Sequence, residues 1–230
     1  MSEQTVAGIV LIAVPILFSV CFTLLAQRFD YPDVLRKPSH EVLKSFSDGG
    51  PTLILIWWAF ALTALLFAAL AVLLAIAVDD ADGTVVILGA VAGVLASLVQ
   101  LLGLIRWPLL VPYLARVSDE AGPSSPRGEA VDLVFQAFNR YLGVAVGEHL
   151  GYMLTGLWTI LAAVALIDST AAPDWLGGVG IVLGPLFILC SLEFVGQFEE
   201  SGWKLAGALT PVAYIAWSIW LIALGVALIA

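Results

Sequence analysis

Four ionisable side chains lie in or beside long apolar stretches of the sequence: Arg106, Glu148, His149 and Glu193. Carboxylates in a half-dry layer can exchange protons near neutrality, so Glu148 and Glu193 could form a proton-accepting pair or a cation site, with Arg106 as the counter-charge. Counted at about 1.5 Å per residue from the outer end of each stretch, Arg106, Glu148 and Glu193 all lie about 28–33 Å deep. We therefore predict that they belong to one polar layer.

Neutral polar residues follow these groups at helical spacing. Tyr152 and Thr155 come four and seven residues after Glu148, and Gln197 comes four residues after Glu193. Polar groups that face lipid are costly, so each polar stripe should turn inward. Together they predict a small hydrophilic cavity that opens toward the cytoplasm. The predicted ligand or proton pathway comprises Arg106, Glu148, His149, Tyr152, Thr155, Glu193, Gln197 and Gln100.

Each of these ionisable residues also has a structural interpretation. Arg106 could extend its side chain to the lipid headgroups. Glu148 and Glu193 could instead pair with Arg106 or Arg140 and lock the helices together. His149 directly follows Glu148, but adjacent helical residues point about 100° apart, so it could be a structural histidine outside the pocket.

The sequence contains no recognisable catalytic or metal-binding motif. With only His40 and His149, a three-histidine zinc site is impossible, and the motifs His-Glu-x-x-His and Gly-x-Ser-x-Gly are absent. A bis-histidine haem would need His40 to meet His149. We predict no catalytic residue, no metal site and no cofactor, with haem or a metal at His149 as the alternative. A membrane redox or lipid-modifying enzyme stays open, without a nominated nucleophile.

The composition is that of an integral membrane protein. Of the 230 residues, 61% are hydrophobic and 12% are charged, with a mean hydropathy of +1.05. Soluble domains average about 45–50% apolar and about 25% charged residues. The net charge of −9 argues against nucleic-acid binding, which needs clustered cations. The partner that the composition predicts is the lipid bilayer.

Six apolar stretches have the roughly 20 residues that a membrane-spanning helix needs. The predicted fold class is therefore all-α, a six-helix transmembrane bundle that forms a single membrane domain over residues 1–230. The predicted spans cover residues 6–26, 52–78, 84–109, 142–167, 175–197 and 205–229.

Apart from Arg106, the Lys and Arg residues lie in alternate connections between these stretches. The connections over residues 27–51, 110–141 and 198–204 contain them, whereas the other connections and both termini do not. The positive-inside rule places the cation-bearing connections in the cytoplasm and both termini outside. This pattern predicts a multi-pass protein of the inner (cytoplasmic) membrane.

Two connections are predicted to be more than turns. Residues 31–46 place apolar side chains among charges, which favours an amphipathic helix at the cytoplasmic membrane surface over a solvated connector helix. Residues 117–131 are predicted to form a flexible linker rich in Gly, Pro and Ser. In the fourth span, Gly143, Gly147 and Gly151 form a ridge that lets another helix approach closely, within the bundle or in a homo-oligomer.

Six short blocks of the sequence carry a family resemblance: Tyr31–Arg36, Arg106–Pro108, Val111–Arg116, Asn139–Gly143, Gly147–Tyr152 and Leu192–Gly196. Together they resemble a bacterial multi-pass membrane family, the domain of unknown function numbered 4386. The resemblance covers nearly the whole chain and implies a compact bundle of six membrane helices. It implies no activity and no catalytic residue.

The leading interpretation is a multi-pass inner-membrane protein whose cytoplasm-facing polar pocket binds a small ligand or cation, coupled to proton movement in a transporter. Glu148 and Glu193 would be the exchangeable carboxylates, and Arg106 the counter-charge. The alternative is a non-transporting membrane subunit or sensor that holds a cytoplasmic protein partner through residues 27–51 and 110–141.

Overall fold

The computed structural model describes residues 2–122 and 124–230, and the described residues form helices, turns and short connections without a strand. Eight α-helices follow one another in these two described stretches. They are α1 (Glu3–Phe29), α2 (Ser39–Ala77), α3 (Gly83–Leu109), α4 (Val111–Ala121), α5 (Pro126–Phe138), α6 (Gly151–Asp168), α7 (Asp174–Cys190) and α8 (Lys204–Ile229). A π-helical segment, Asn139–Leu150, joins α5 to α6 without a break.

Five helical stretches of the described chain are long and apolar enough to cross a membrane. They are α1, α2, α3 with α4, the continuous stretch Pro126–Asp168, and α8. A sixth helix, α7, is also apolar but has only 17 residues. The chain thus has the helices of a multi-pass membrane protein, and the count of six spans stays a prediction.

Six helices form a closed ring in which each packs against two neighbours, in the order α1, α2, α3, α6, α7, α8 and back to α1. The ring closes where α1 crosses α8: a Cβ added to Gly8 would lie 2.6 Å from the carbonyl oxygen of Gly225. Because Gly8 is near the start of α1 and Gly225 near the end of α8, both chain termini lie at the same end of the bundle. We call this the terminal end.

Aromatic side chains fill the centre of the ring. The ring of Phe67 on α2 lies 5.0 Å from that of Trp158 on α6 and 5.5 Å from that of Trp217 on α8. Phe187 on α7 contacts Trp217 as well. Since these side chains come from opposite helices, the interior of the bundle is packed at this level.

A second hydrophobic cluster covers the opposite end of the bundle, where the cation-bearing connections lie. Its centre is the stacked pair Trp57 and Trp107, whose ring centroids are 4.4 Å apart. The first turns of α2 contribute Val42 and Phe46, and α4 contributes Leu114, all buried. We call this the basic end.

The connections at the basic end differ from their predicted bounds. The predicted amphipathic helix over residues 31–46 is divided: Asp33–Arg36 form a short 3-10 helix, and the rest belongs to α2, which begins at Ser39 after Pro38 and continues across a kink at Gly50. The predicted linker over residues 117–131 is helical over 117–121 and from 126 onward, because α4 and α5 each bury an apolar face there. Residue 123, inside that predicted linker, lies outside the described residues.

At the terminal end, Asp80 joins two connections. Its carboxylate accepts hydrogen bonds from the hydroxyl of Ser169, and from the backbone N–H and the hydroxyl of Thr170 at 2.8 and 2.7 Å. These bonds, that from Ser169 first, lower the pKa of Asp80 to about 2. The α2–α3 connection is thereby tied to the α6–α7 connection.

Candidate functional site

A cavity of about 370 Å³ opens between the π-helical segment and the chain that follows α7. Both walls depart from regular α-helix, since one is π-helical and the other follows the end of α7 at Cys190, where residues 191–199 form turns and a short 3-10 helix. The ionisable and hydroxyl side chains that line it are Arg140, Glu148, His149, Tyr152, Cys190, Ser191, Glu193 and Glu199. The apolar part of the lining comes mainly from Val144, Ala145, Phe194 and Val195.

Glu148 and Glu193 both line this cavity, Glu148 from the π-helical segment and Glu193 from the chain that follows α7. Among the described residues, neither carboxylate has a hydrogen-bond partner or an ion pair within 4.0 Å. Arg106 and Arg36 are near enough to attract Glu148 and Glu193, respectively, but only at longer range.

His149 bridges the two walls of the cavity. Its Nδ1 lies 2.7 Å from the carbonyl oxygen of Ser191. A carbonyl oxygen can only accept, so Nδ1 carries the proton and donates it. In the neutral ring Nε2 is then an acceptor, and the imidazole belongs to the cavity lining. His149 is thus both a structural tie and part of the candidate site.

Arg106 is not among the cavity-lining residues, and it is buried within the protein, only 9% exposed. Its guanidinium donates to the carbonyl oxygen of Gly103 and, at 3.1 Å, to the side-chain oxygen of Asn139. It also packs on Gly143, where an added Cβ would lie 2.6 Å from Nη2. Arg106 therefore holds α3 against the π-helical segment.

Arg140 pairs with Glu199 across the rim of the cavity, with Nη2 2.8 Å from Oε1. Both side chains are more than half exposed, so the pair is screened by solvent and contributes little to stability. Among the described residues, neither Arg106 nor Arg140 forms an ion pair with Glu148 or Glu193, so the structural alternative predicted for these carboxylates does not hold.

These observations meet in a family assignment. The sequence profile of the family described as Domain of unknown function (DUF4386) matches residues 6–225. The chain belongs to this family. The resemblance seen in the six sequence blocks is thereby confirmed, and the matched range includes every residue of the cavity lining. No curated protein and no solved structure matches the chain.

In this DUF4386 chain, the glycine ridge contacts α3 rather than lying open. A Cβ added to Gly103 of α3 would lie 2.7 Å from the Cα of Gly147, and one added to Gly151 would lie 2.9 Å from the Cγ of Gln100. With Gly143 against the guanidinium of Arg106, the whole ridge serves a contact within the bundle. The small residues let the π-helical segment approach α3 closely, as expected for membrane helices.

The neutral polar residues of the predicted pathway divide into two groups. Tyr152 lines the cavity, whereas the hydroxyl of Thr155 accepts a hydrogen bond of 3.0 Å from Gln100. One turn further, the indole N–H of Trp217 donates to the hydroxyl of Thr159 at 3.0 Å. Thr155, Gln100 and Thr159 thus make hydrogen bonds between helices, on the side of the cavity toward the terminal end.

The predicted pairing of Glu193 with Gln197 on one helix face is wrong. The fifth predicted span, residues 175–197, is α-helical only to Cys190, and Gln197 is exposed in a short 3-10 helix, Gly196–Phe198. Gly196 has φ 64°, a left-handed conformation that regular α-helix does not contain. Glu193 instead faces the first turn of α8: a Cβ added to Gly207 would lie 2.7 Å from its Oε1.

Position at the start of α8 suits a carboxylate, because unpaired N–H groups and the helix dipole favour negative charge there. Of the lining residues that the sequence analysis missed, Ser191, Phe194 and Val195 lie in the same stretch after α7. The signal in the sequence for the end of the helix was the two glycines of this stretch, Gly196 and Gly202, both of which have positive φ in the structure.

The described residues bring together no group of three or more His, Cys, Asp or Glu side chains with the spacing of a metal site. His40 is exposed at the start of α2, and His149 lines the cavity. The prediction that the protein needs no cofactor stays a prediction.

Proposed function

We propose that this protein is a multi-pass membrane protein that binds a small cation in the cavity, with Glu148 and Glu193 as its anionic ligands. The observation that carries the proposal is their lack of any ion-pair or hydrogen-bond partner among the described residues, although both line one cavity. Leaving two carboxylates unpaired in a half-dry site is costly unless a positive group neutralises them.

The charges of the lining favour a cation over an anion. Three carboxylates, those of Glu148, Glu193 and Glu199, face one guanidinium, that of Arg140. Because Arg140 is already paired with Glu199, two negative charges are left without an ion pair. An anionic ligand would have to overcome both of them.

The position of the cavity supports loading from the cytoplasm. Its rim pair Arg140–Glu199 lies beside the start of α8 and Lys204, at the basic end of the bundle. By the positive-inside rule, this end would face the cytoplasm. Toward the terminal end, the aromatic side chains at the centre of the ring close the path.

Thermal unfolding in mild detergent, with methylammonium as the probe cation, tests this proposal. A ligand at 100 times its Kd stabilises the folded protein by about 2.7 kcal/mol, which for a chain of this size raises the unfolding temperature by several degrees. Glu148→Gln and Glu193→Gln should lose this rise. Glu200→Gln, which removes the same charge from an exposed residue outside the lining, should keep it.

The proposal fails if methylammonium leaves the unfolding temperature of the wild type unchanged. It also fails if methylammonium raises the unfolding temperature of Glu148→Gln as much as that of Glu200→Gln. Because Gln has nearly the shape of Glu, each variant should elute as the wild type does in size-exclusion chromatography. Glu148→Asp, which keeps the charge, provides a second variant and should retain part of the rise.

We also propose that exchange of a proton for the cation at Glu148 couples binding to transport. Guanidinium is a suitable probe, since it stays charged and crosses lipid poorly. Added outside proteoliposomes that contain a pH-sensitive dye, it should drive protons out and raise the internal pH with wild-type protein but not with Glu148→Gln. Binding without a change of internal pH would favour the non-transporting subunit or sensor.

A further inference from the structure

The cavity is large for a bare ion. A water molecule occupies about 30 Å³ in the liquid, so a cavity of about 370 Å³ exceeds the size of any single inorganic cation. Ligand pockets of about 300–1,000 Å³ typically hold organic molecules. The volume therefore indicates a ligand with a body as well as a charge.

The apolar part of the lining indicates what that body is made of. Val144 and Ala145 lie on one wall, and Phe194 and Val195 on the other, each close in sequence to one of the carboxylates. Val195 is 43% exposed although it is apolar. A hydrocarbon group between these walls would cover apolar surface that otherwise faces water, which is favourable.

The polar atoms of the lining indicate the form of the charged group. Three acceptor groups belong to residues that line the cavity: the carboxylates of Glu148 and Glu193, and Nε2 of His149, whose Nδ1 is occupied by the carbonyl oxygen of Ser191. A primary ammonium group has three N–H donors and no acceptor. Its donors match these acceptors in number, whereas a quaternary ammonium group could satisfy none of them.

We infer that the ligand of this cavity is a primary amine with an apolar group, held by Glu148, Glu193 and His149 at its ammonium end and by Val144, Phe194 and Val195 along its body. This inference rests on the proposed function, because it names the class of cation that the site selects. Binding is reversible and involves no covalent step.

Isothermal titration of the purified full chain with four probes tests the inference. The probes are 2-phenylethylammonium, methylammonium, 2-phenylethyltrimethylammonium and the neutral 2-phenylethanol. We expect 2-phenylethylammonium to bind at least about 10-fold more tightly than each of the others, because only it combines three N–H donors, a charge and an apolar body. Uptake of the probes by detergent micelles is separated from binding with Glu148→Gln, which should lose the saturable part of the heat.

A variant of the apolar lining provides a matched test. Val195→Ser should weaken the binding of 2-phenylethylammonium several-fold and leave the binding of methylammonium unchanged, because it alters only the surface that contacts the apolar body of the ligand. Because Val195 is partly exposed, we expect the Val195→Ser variant to fold, and unchanged binding of methylammonium would verify this. His149→Gln, which keeps an amide group near the position of Nε2, should bind 2-phenylethylammonium better than His149→Ala does.

The outcomes separate this inference from the proposed function. If methylammonium binds the wild type as tightly as 2-phenylethylammonium, the ligand class is wrong while the cation site stands. If 2-phenylethyltrimethylammonium binds as tightly as 2-phenylethylammonium, the role of the three acceptors is wrong. Saturable binding of 2-phenylethanol that survives in Glu148→Gln would identify an apolar pocket, and no saturable binding of any cation would contradict both proposals.

Discussion

His149 and Ser191 join the two walls of the cavity through a single hydrogen bond of 2.7 Å between Nδ1 and the backbone carbonyl oxygen. The bond crosses from the π-helical segment to the first residue after α7. It has two consequences, since it fixes the distance between the walls and leaves Nε2 of the neutral ring as an acceptor in the cavity.

Removing this bond should loosen the cavity. We expect His149→Ala to lower the free energy of unfolding by about 1 kcal/mol, the usual net contribution of one hydrogen bond. In His149→Asn the amide nitrogen stands as many bonds from Cα as Nδ1 does, so it can donate to Ser191 and should restore most of the loss. Chemical unfolding in detergent measures both values, and an Asn variant as unstable as the Ala variant would contradict the role of Nδ1.

Gly143 should not tolerate a side chain. A Cβ at this position would lie 2.6 Å from Nη2 of Arg106 and would push the guanidinium away from Asn139 and Gly103. Gly143→Ala should therefore destabilise the protein by about 1–3 kcal/mol, as overpacking usually does. The matched control is Gly178→Ala in α7, where no atom lies within 4 Å of the added Cβ.

Gly178→Ala should be neutral or slightly stabilising, because Ala favours helix more than Gly does. The unfolding temperatures of the two alanine variants in the same detergent give the comparison. Equal unfolding temperatures would mean that Arg106 does not depend on the space at Gly143.

The hydrogen bond between Trp217 and Thr159 should contribute to stability in the interior of the bundle. The indole N–H donates to the hydroxyl of Thr159 at 3.0 Å, and both residues are buried. Thr159→Val keeps the shape and removes the acceptor, and interhelical hydrogen bonds in membrane proteins contribute about 0.6 kcal/mol on average and about 1.7 kcal/mol at most.

A double-mutant cycle that combines Thr159→Val with Trp217→Phe isolates this contribution from the loss of packing. The double mutant should lose less stability than the two single mutants together, by an amount close to the average of about 0.6 kcal/mol for membrane proteins. A coupling free energy of zero would show that the bond makes no net contribution.

Asp80 should make the terminal end sensitive to acid. Its folded pKa of about 2 lies below the ordinary value of 3.8, so the ionised carboxylate contributes stability above about pH 4 that is lost as the pH falls through 2. The stability advantage of the wild type over Asp80→Asn should be constant above pH 4 and shrink below it. Unfolding temperatures between pH 2 and 7 measure this advantage, and an advantage that stays the same from pH 7 to pH 2 would contradict the role of the Asp80 carboxylate.

The sequence could predict most of the helices because their apolar stretches are long. Helix α3, at Gly83–Leu109, lies within one residue of its predicted start and shares its predicted end at 109. The first turns of α2 were predicted as a separate surface helix, since hydropathy detects the charged residues between 31 and 46 but not their continuity with the span. The apolar side of those turns is buried against α4 instead of lipid.

The end of α7 could not be read from hydropathy, because Leu192, Phe194 and Val195 continue the apolar pattern beyond Cys190. Phe194 and Val195 line the cavity, a position that composition does not distinguish from a membrane span. Counting depth along straight helices still placed Glu148 and Glu193 at one level, and in the structure both line one cavity.

The π-helical segment left no sign in the sequence except its glycines. Gly143 and Gly147 indicate a close helix contact, but the partner is a guanidinium and another glycine on α3, which spacing alone does not identify. For the same reason the sequence predicts Arg106 as a counter-charge in the cavity, whereas its hydrogen bonds go to Gly103 and Asn139.

Equilibrium dialysis of radiolabelled methylammonium against the purified protein tests the cation site most directly, because it counts bound cations per chain. The account predicts one saturable site in the wild type and in Glu200→Gln, with affinity lowered about 10-fold or more in Glu148→Gln and Glu193→Gln, as for loss of a charge-assisted hydrogen bond. Absence of saturable binding, or equal binding by wild type and Glu148→Gln, would contradict it.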